Sequence, residues 1–285
     1  MKTMRLITFP CLIFCLALPA YSISINYTYT PVLLIHGSGL DSSTWTELKD
    51  RFEKLGYPDS YIESVDIVPD NESNITAARK FIQPAASRLL QRANKDARNS
   101  GFKGVTHTKI DIVAHSMGAV SGRWYATVIA PEMVRRFVSI AGANHGTSSL
   151  CGMAGKGNHE MCPAFAVSNL VSEVQYKLNT NPDFNFDETP YGTGFDALPD
   201  KRYLPPKRNR RISYFTIRIE PDEWITPAKS AILNGAGDPD LEPVLTKMFV
   251  ETSTGNYQYL NDVSHDNLPK DNNVIDFIFG LLTGN

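Results

Sequence analysis

The sequence is poor in three things. It has four cysteines among 285 residues, no apolar run near the ~20 residues that cross a bilayer, and no basic stretch able to form one charged face. The second absence argues against an integral membrane helix, and the third against a nucleic-acid surface. Internal repeats and low-complexity linkers are also lacking. What is present excludes a disordered chain, since 42% of the residues are apolar and 10% aromatic. That length suits one α/β domain with an insertion.

Lys2 and Arg5 precede a short apolar run, Leu6 to Leu18, and Ala20-Tyr21-Ser22 supplies small residues at a cleavage point. This is the pattern of an export signal over residues 1–22, and Pro10 and Pro19 argue against a buried helix there. Cys15 lacks the small residue that precedes a lipoprotein cysteine, so no lipid anchor is expected. The mature chain would run over 23–285 and be secreted or periplasmic. Losing Lys2 and Arg5 takes the 28 basic residues to 26, against 30 acidic ones, a net charge of −4. Only Cys151 and Cys162 remain, and two close cysteines in an exported chain suggest a disulfide that pins a local loop; two free thiols are the alternative. Asn26, Asn71 and Asn74 begin glycosylation acceptor patterns, which matter only in a eukaryotic secretory pathway.

Val32 to Ile35 is a continuous apolar run ending in His36-Gly37-Ser38-Gly39, as where a buried parallel strand meets a tight loop. Trp45, Leu48, Phe52 and Leu55 recur at helical spacing, between the candidate caps Asp41 and Ser42 and the stop Gly56. Strand patterns follow at Tyr61–Val68, Lys109–Val113, Val134–Ala141 and Ile212–Ile219, with a short last one at Tyr257–Leu260. Helix patterns cover Ile75 to Ala93, with a kink or break expected at Pro84, then Met117 to Ala130, Leu241 to Val250 and Val274 to Leu282. The alternation predicts an α/β fold, a mainly parallel sheet of about six strands with helices on both faces. From about 142 to 208 the rhythm breaks. That stretch holds both mature cysteines and one modest apolar segment, Phe165 to Leu178, and is expected to be an inserted loop or cap.

The segment Ile110-Asp-Ile-Val-Ala-His-Ser-Met-Gly118 runs an apolar strand into Ala114-x-Ser116-x-Gly118 and then a helix. This is a nucleophile elbow in its expected context: a turn so sharp that only small residues fit two positions either side of a serine whose Oγ stands clear of the sheet. A serine hydroxyl needs a base to take its proton, and the chain offers six histidines.

With these residues the chain resembles the α/β-hydrolases, and within them the secreted bacterial lipases and esterases of lipase class 2. Pro31 to Gly37 looks like their first strand and oxyanion loop, and Val113 to Gly118 like their elbow, with Ala114 as the one-methyl departure. Val138 to Thr147, Asp187 to Pro190 and Phe215 to Pro227 are similar to later family segments. A weaker resemblance is to secreted polyhydroxyalkanoate depolymerases. The resemblance implies a chain order of Ser, acid and His. Only His265 lies beyond the acid region. Glu220, Asp222 and Glu223 crowd after the strand Ile212 to Ile219, and the family's spacing of acid, aliphatic and proline selects Asp222, with Glu220 next. Its role would be to hold and stabilise the imidazole. The oxyanion donors would be the backbone N–H groups of Met117 and, by the family's His-Gly-x pattern, Ser38. His36 and His115 flank these segments and are expected to shape them, whereas His107, His145 and His159 read as loop or surface residues.

The implied activity is that of a secreted serine carboxylic-ester hydrolase, a lipase or esterase working through an acyl-enzyme on Ser116. The alternatives are a polyester depolymerase, a phospholipase or acyltransferase, and, from a different class, a non-catalytic binding protein on the same fold. The partner expected is an ester or lipid substrate, as at a lipid–water interface, with no nucleic acid. No cofactor is expected, and no metal, because the acidic residues from Asp183 to Asp200 lack a spacing diagnostic of calcium.

Overall fold

The computed structural model describes residues 24–179, 212–238 and 240–284. The expected leader and the segment from Asp187 to Pro190 lie outside these residues, as does most of the second half of the expected insertion.

Seven strands form one sheet in the order β2-β1-β3-β4-β5-β7-β6. They are β1 (Val32–Ile35), β2 (Ile62–Val65), β3 (Ile110–His115), β4 (Val134–Ile140), β5 (Ser213–Arg218), β6 (Phe249–Ser253) and β7 (Asn256–Tyr259). Every pairing is parallel except that of β6 with β7. The helices are α1 (Thr46–Lys54), α2 (Asn74–Ala77), α3 (Gln83–Asn99), α4 (Met117–Trp124), α5 (Lys156–Glu160), α6 (Glu173–Asn179) and α7 (Asn272–Thr283).

Both faces of the central strands are apolar because helices cover both. In β1, Leu33 and Ile35 point into a core with α3 and α4, while Val32 and Leu34 point into a second core with α1 and α7. The period of two therefore appears as a continuous hydrophobic run. Asp41 caps the turn before α1 by accepting from Ser43 N, and Gly56 leaves that helix at φ 97°, as the sequence predicts. Pro84 sits in the first turn of α3, immediately after a π-helical turn at Ala78–Ile82. In place of the expected kink or break, the helix widens there, because Pro84 has no N–H to give the preceding turn, while Ile82 and Gln83 keep helical dihedrals.

One expected element is absent. Leu241 to Val250 is not a helix: residues 240–246 are irregular and β6 begins at Phe249, turning back through Gly255 (φ 70°) onto β7. Pro243 disfavours a helix there, and the run from Phe249, with β-branched Val250 and Thr252, suits an exposed edge strand of which Phe249 alone is buried. Among the described residues the sheet consequently has seven strands where about six are expected.

Of the insertion, α5 and α6 are described, and Cys151 is disulfide-bonded to Cys162. Val174 and Leu178 of the expected apolar segment are buried with Trp124 and Met161, whereas Val167 and Leu170 are exposed. The insertion is also held by Glu160, whose carboxylate accepts from Ser73 Oγ, Asn74 N and Asn74 Nδ2 at 2.7–2.9 Å. Asn74 is fully buried by this arrangement.

Candidate active site

The parallel strands deliver the chemistry-bearing residues to their carboxyl ends, where open α/β sheets bind ligands. β3 ends at His115 and runs directly into Ser116, the residue capping α4. Ser116 has φ 54° and ψ −124°, a conformation that side-chain-bearing residues rarely adopt. It persists because the turn is held on several sides: Ser116 N donates to Ile140 O at 3.0 Å, and Ser116 O accepts from Ala119 N and Ala143 N. Glycine at 118 is dictated by contact, since a Cβ there would lie 2.3 Å from His36 O and 2.7 Å from Ile35 O. Ala114, fully buried opposite Ile35 and Ser139, shows that one methyl is tolerated two residues before the serine.

Register also brings the loop after β1 against the elbow, because Ile35 pairs with Ala114. A Cβ on Gly37 would stand 2.7 Å from Ser116 Cβ and 3.3 Å from Ser116 Oγ. His36 pins this loop: its Nδ1–H donates to Gly37 O at 2.8 Å, and its Nε2 accepts from Ile67 N at 3.0 Å. Of the two expected oxyanion donors, Ser38 follows Gly37 on the pinned loop and Met117 opens α4, where N–H groups have no intrahelical acceptor.

The loops after β5 and β7 meet. His265 Nδ1 lies 3.0 Å from both Asp222 Oδ1 and Oδ2, with both side chains almost wholly buried. Asp222 Oδ1 also accepts from Trp224 N and Ile225 N, so its own turn fixes the carboxylate. His265 Nε2 is buried and has no hydrogen-bond partner. Its ring packs 4.5 Å from that of His115, the chain neighbour of Ser116. Of the other carboxylates, Glu220 pairs outward with Arg218 at 2.6 Å, while Glu223 Oε1 accepts from the backbone N–H of His265 at 2.9 Å. Sequence reasoning missed this role for Glu223, because its partner is a main-chain group 42 residues away.

His115 is fully buried, and its Nε2–H donates to His265 O at 3.1 Å. Burial first, and then the neighbouring His265, hold its pKa well below the usual histidine range, so it is neutral. His107 and His145 are half-buried structural residues, bonded to Tyr27 and Tyr61 and to Ser230 O respectively, and His159 is exposed. Among the described residues, the group of His, Cys, Asp and Glu close enough to hold a metal is His115, His265 and Asp266, one ligand atom of each lying within 4.8 Å of the others. One nitrogen of each ring is already engaged, to Asp222 and to His265 O. An open groove of about 680 Å³, lined by His145, Phe165, Val167, Pro227, Lys229 and Ile232, adjoins the segments after β4 and after Asp222. Among the described residues no helix is long and apolar enough to cross a membrane.

Comparison with known proteins agrees with this architecture. The family profile described as palmitoyl protein thioesterase matches residues 31–185, a span running from β1 through the elbow into the insertion. The chain is 26% identical to a triacylglycerol lipase of Pseudomonas fragi over 129 residues, which are 44% of this chain and 38% of that one. Among solved structures it is similar to a Bacillus licheniformis lipase in its mature form, with a TM-score of 0.51 and 16% identity over 91% of this chain and 94% of the other. Lipase B of Aspergillus fumigatus gives a TM-score of 0.47 at 14% identity, over 75% of this chain and 44% of that one. The chain therefore spans less than half of two of these relatives, and the structural likeness is one of fold.

Proposed function

This chain belongs to the palmitoyl protein thioesterase family, and from that membership we propose that it is a serine hydrolase of fatty-acyl esters, using Ser116 as nucleophile, His265 as general base and Asp222 as the acid. The observation that carries the reading is the buried Asp222–His265 pair, whose Nε2 is left unpartnered in a ring packed against His115, the residue next to a strained serine.

In this mechanism Asp222 keeps the proton of His265 on Nδ1, leaving the Nε2 lone pair to take the proton of Ser116 as Oγ attacks the acyl carbon. The negative charge that grows on the carbonyl oxygen is met by Ser38 N–H and Met117 N–H. The helix dipole of α4 adds to the second donor. His265 then returns its proton to the leaving group, and water repeats the sequence on the acyl-enzyme.

The apolar walls of the groove that adjoins the segments after β4 and after Asp222, namely Phe165, Val167, Pro227 and Ile232, suit the hydrocarbon part of a substrate. The family name and the Pseudomonas fragi relative both favour a fatty-acyl group over a polyester chain. We also propose that the protein is exported, on the leader pattern of residues 1–22 and the Cys151–Cys162 disulfide, which suits an oxidising compartment. Hydrolysis of p-nitrophenyl esters of increasing chain length, with palmitoyl thioester and polyhydroxybutyrate film in parallel, tests the substrate class. Turnover confined to the film would refute the fatty-acyl assignment, and full turnover by S116A would refute the nucleophile.

A further inference from the structure

His265 is gripped by more than its acid. Asp222 orients the imidazole ring, but where the ring stands also depends on the peptide from which it hangs. That peptide opens a 3-10 turn, His265–Lys270, after the exposed residues Leu260 to Asp262. As the first residue of the turn, His265 has an N–H with no acceptor inside it. Glu223 Oε1 supplies one at 2.9 Å, from the loop that carries Asp222. The carbonyl of the same residue accepts from His115 Nε2–H at 3.1 Å, from the elbow that carries Ser116.

Each contact has a defined direction. A carbonyl only accepts, so His115 must carry its proton on Nε2, which agrees with a buried ring whose other nitrogen has no partner. An amide only donates, so Glu223 acts through an acceptor oxygen.

We propose that Glu223 and His115 are positioning residues of the reaction, holding the peptide of His265 at its amide and its carbonyl and thereby fixing Nε2 relative to Ser116. Asp222 and Glu223, adjacent in sequence, then share the placement of one residue, with the first holding the side chain of the base and the second its backbone. His115 links the base to the nucleophile's own turn, so that a shift of the histidine loop is resisted by the elbow.

The inference rests on the serine-hydrolase reading, and its test separates the two. The variants are E223A, E223Q, H115A and H115Q, with S116A as control, assayed for kcat and KM on p-nitrophenyl butyrate and for thermal midpoint. E223A is expected to lose about ten- to a hundredfold in kcat, the scale for sub-ångström to ångström misplacement of a catalytic group, with KM within twofold. E223Q should recover most of the loss, because an amide oxygen still accepts from His265 N–H. H115Q, which keeps a donor, should exceed H115A. Glu223 is exposed, so its variants fold even if those of buried His115 do not. If S116A is inactive while E223A keeps wild-type kcat, or E223Q is as impaired as E223A, the positioning role is overturned and the hydrolase reading stands. Activity retained by S116A would instead overturn the hydrolase reading.

Discussion

Replacing Asp222 by asparagine removes one charge and almost no volume, and the structure decides how the amide will sit. Oδ1 accepts from Trp224 N and Ile225 N as well as lying 3.0 Å from His265 Nδ1, whereas Oδ2 faces only His265 Nδ1. With the amide oxygen at the Oδ1 position, both backbone bonds survive and the NH2 group faces Nδ1. The reverse orientation strands two backbone N–H groups, at about 1–3 kcal/mol each when buried. The first orientation wins, and it forces Nδ1 to become an acceptor. The proton of the neutral ring then moves to Nε2, which can no longer take one from Ser116. In a Ser-His-Asp hydrolase this wrong tautomer costs about 10⁴ in kcat, or about 5 kcal/mol of transition-state stabilisation. Steady-state kinetics on p-nitrophenyl butyrate should therefore show kcat for D222N reduced by three to four orders of magnitude, KM nearly unchanged and a thermal midpoint within a few degrees of wild type. A D222N enzyme with wild-type kcat would show that the reasoning is wrong and that another carboxylate orients the base.

In G118A the new methyl would stand 2.3 Å from His36 O and 2.7 Å from Ile35 O, both backbone atoms, so about 1–3 kcal/mol of stability and part of kcat should be lost together; an unchanged melting curve contradicts this. His115, surrounded by His265, His36 and Lys270, has a folded pKa below its ordinary 6.5, so the unfolded chain binds more protons between those two values. Its contribution is complete above about pH 6.5 and is lost on acidification at up to about 1.4 kcal/mol per pH unit. Urea denaturation at pH 5, 6 and 7 should show a shallower pH dependence for H115N than for wild type, and equal slopes would refute the assignment. E160A strands Ser73 Oγ and Asn74 N, leaves Asn74 Nδ2 with Gly157 O alone, and should lower stability by about 2–4 kcal/mol, as read by chemical denaturation. Thiol titration of the denatured, unreduced mature protein should find no free sulfhydryl, since Cys151 and Cys162 are bonded to each other; two equivalents per chain would mean that the pair is open.

The parts of this site legible in the sequence are those encoded by neighbours along the chain. The expectation at Ser116 came from a contiguous strand, small residues and helix, whereas those at Asp222 and His265 came from the family resemblance, its acid-aliphatic-proline spacing choosing among three carboxylates and its chain order pointing to the last histidine. The contacts of Glu223 and His115 with His265 were hidden because both are made to its main chain, and any residue type presents the same amide and carbonyl. The helix expected at Leu241 to Val250 failed for a related reason. Leu241, Val244, Leu245 and Met248 recur at helical spacing there, but Pro243 interrupts them and Phe249 pairs with Tyr259 in an edge hairpin that only the partner strand reveals. Glu160 gave no signal either, because Ser73 and Asn74 lie 86–87 residues away.

The central claim is that an acyl group passes through Ser116. Mass spectrometry of protein quenched in acid during turnover of a p-nitrophenyl ester reads it directly. The account predicts a mass gain equal to one acyl group, mapped by proteolysis to the peptide containing Ser116, accumulating in D222N or H265A when deacylation is the slower step and absent from S116A. An adduct on a different residue, or an S116A protein that carries the same adduct and turns over ester at the wild-type rate, would contradict it.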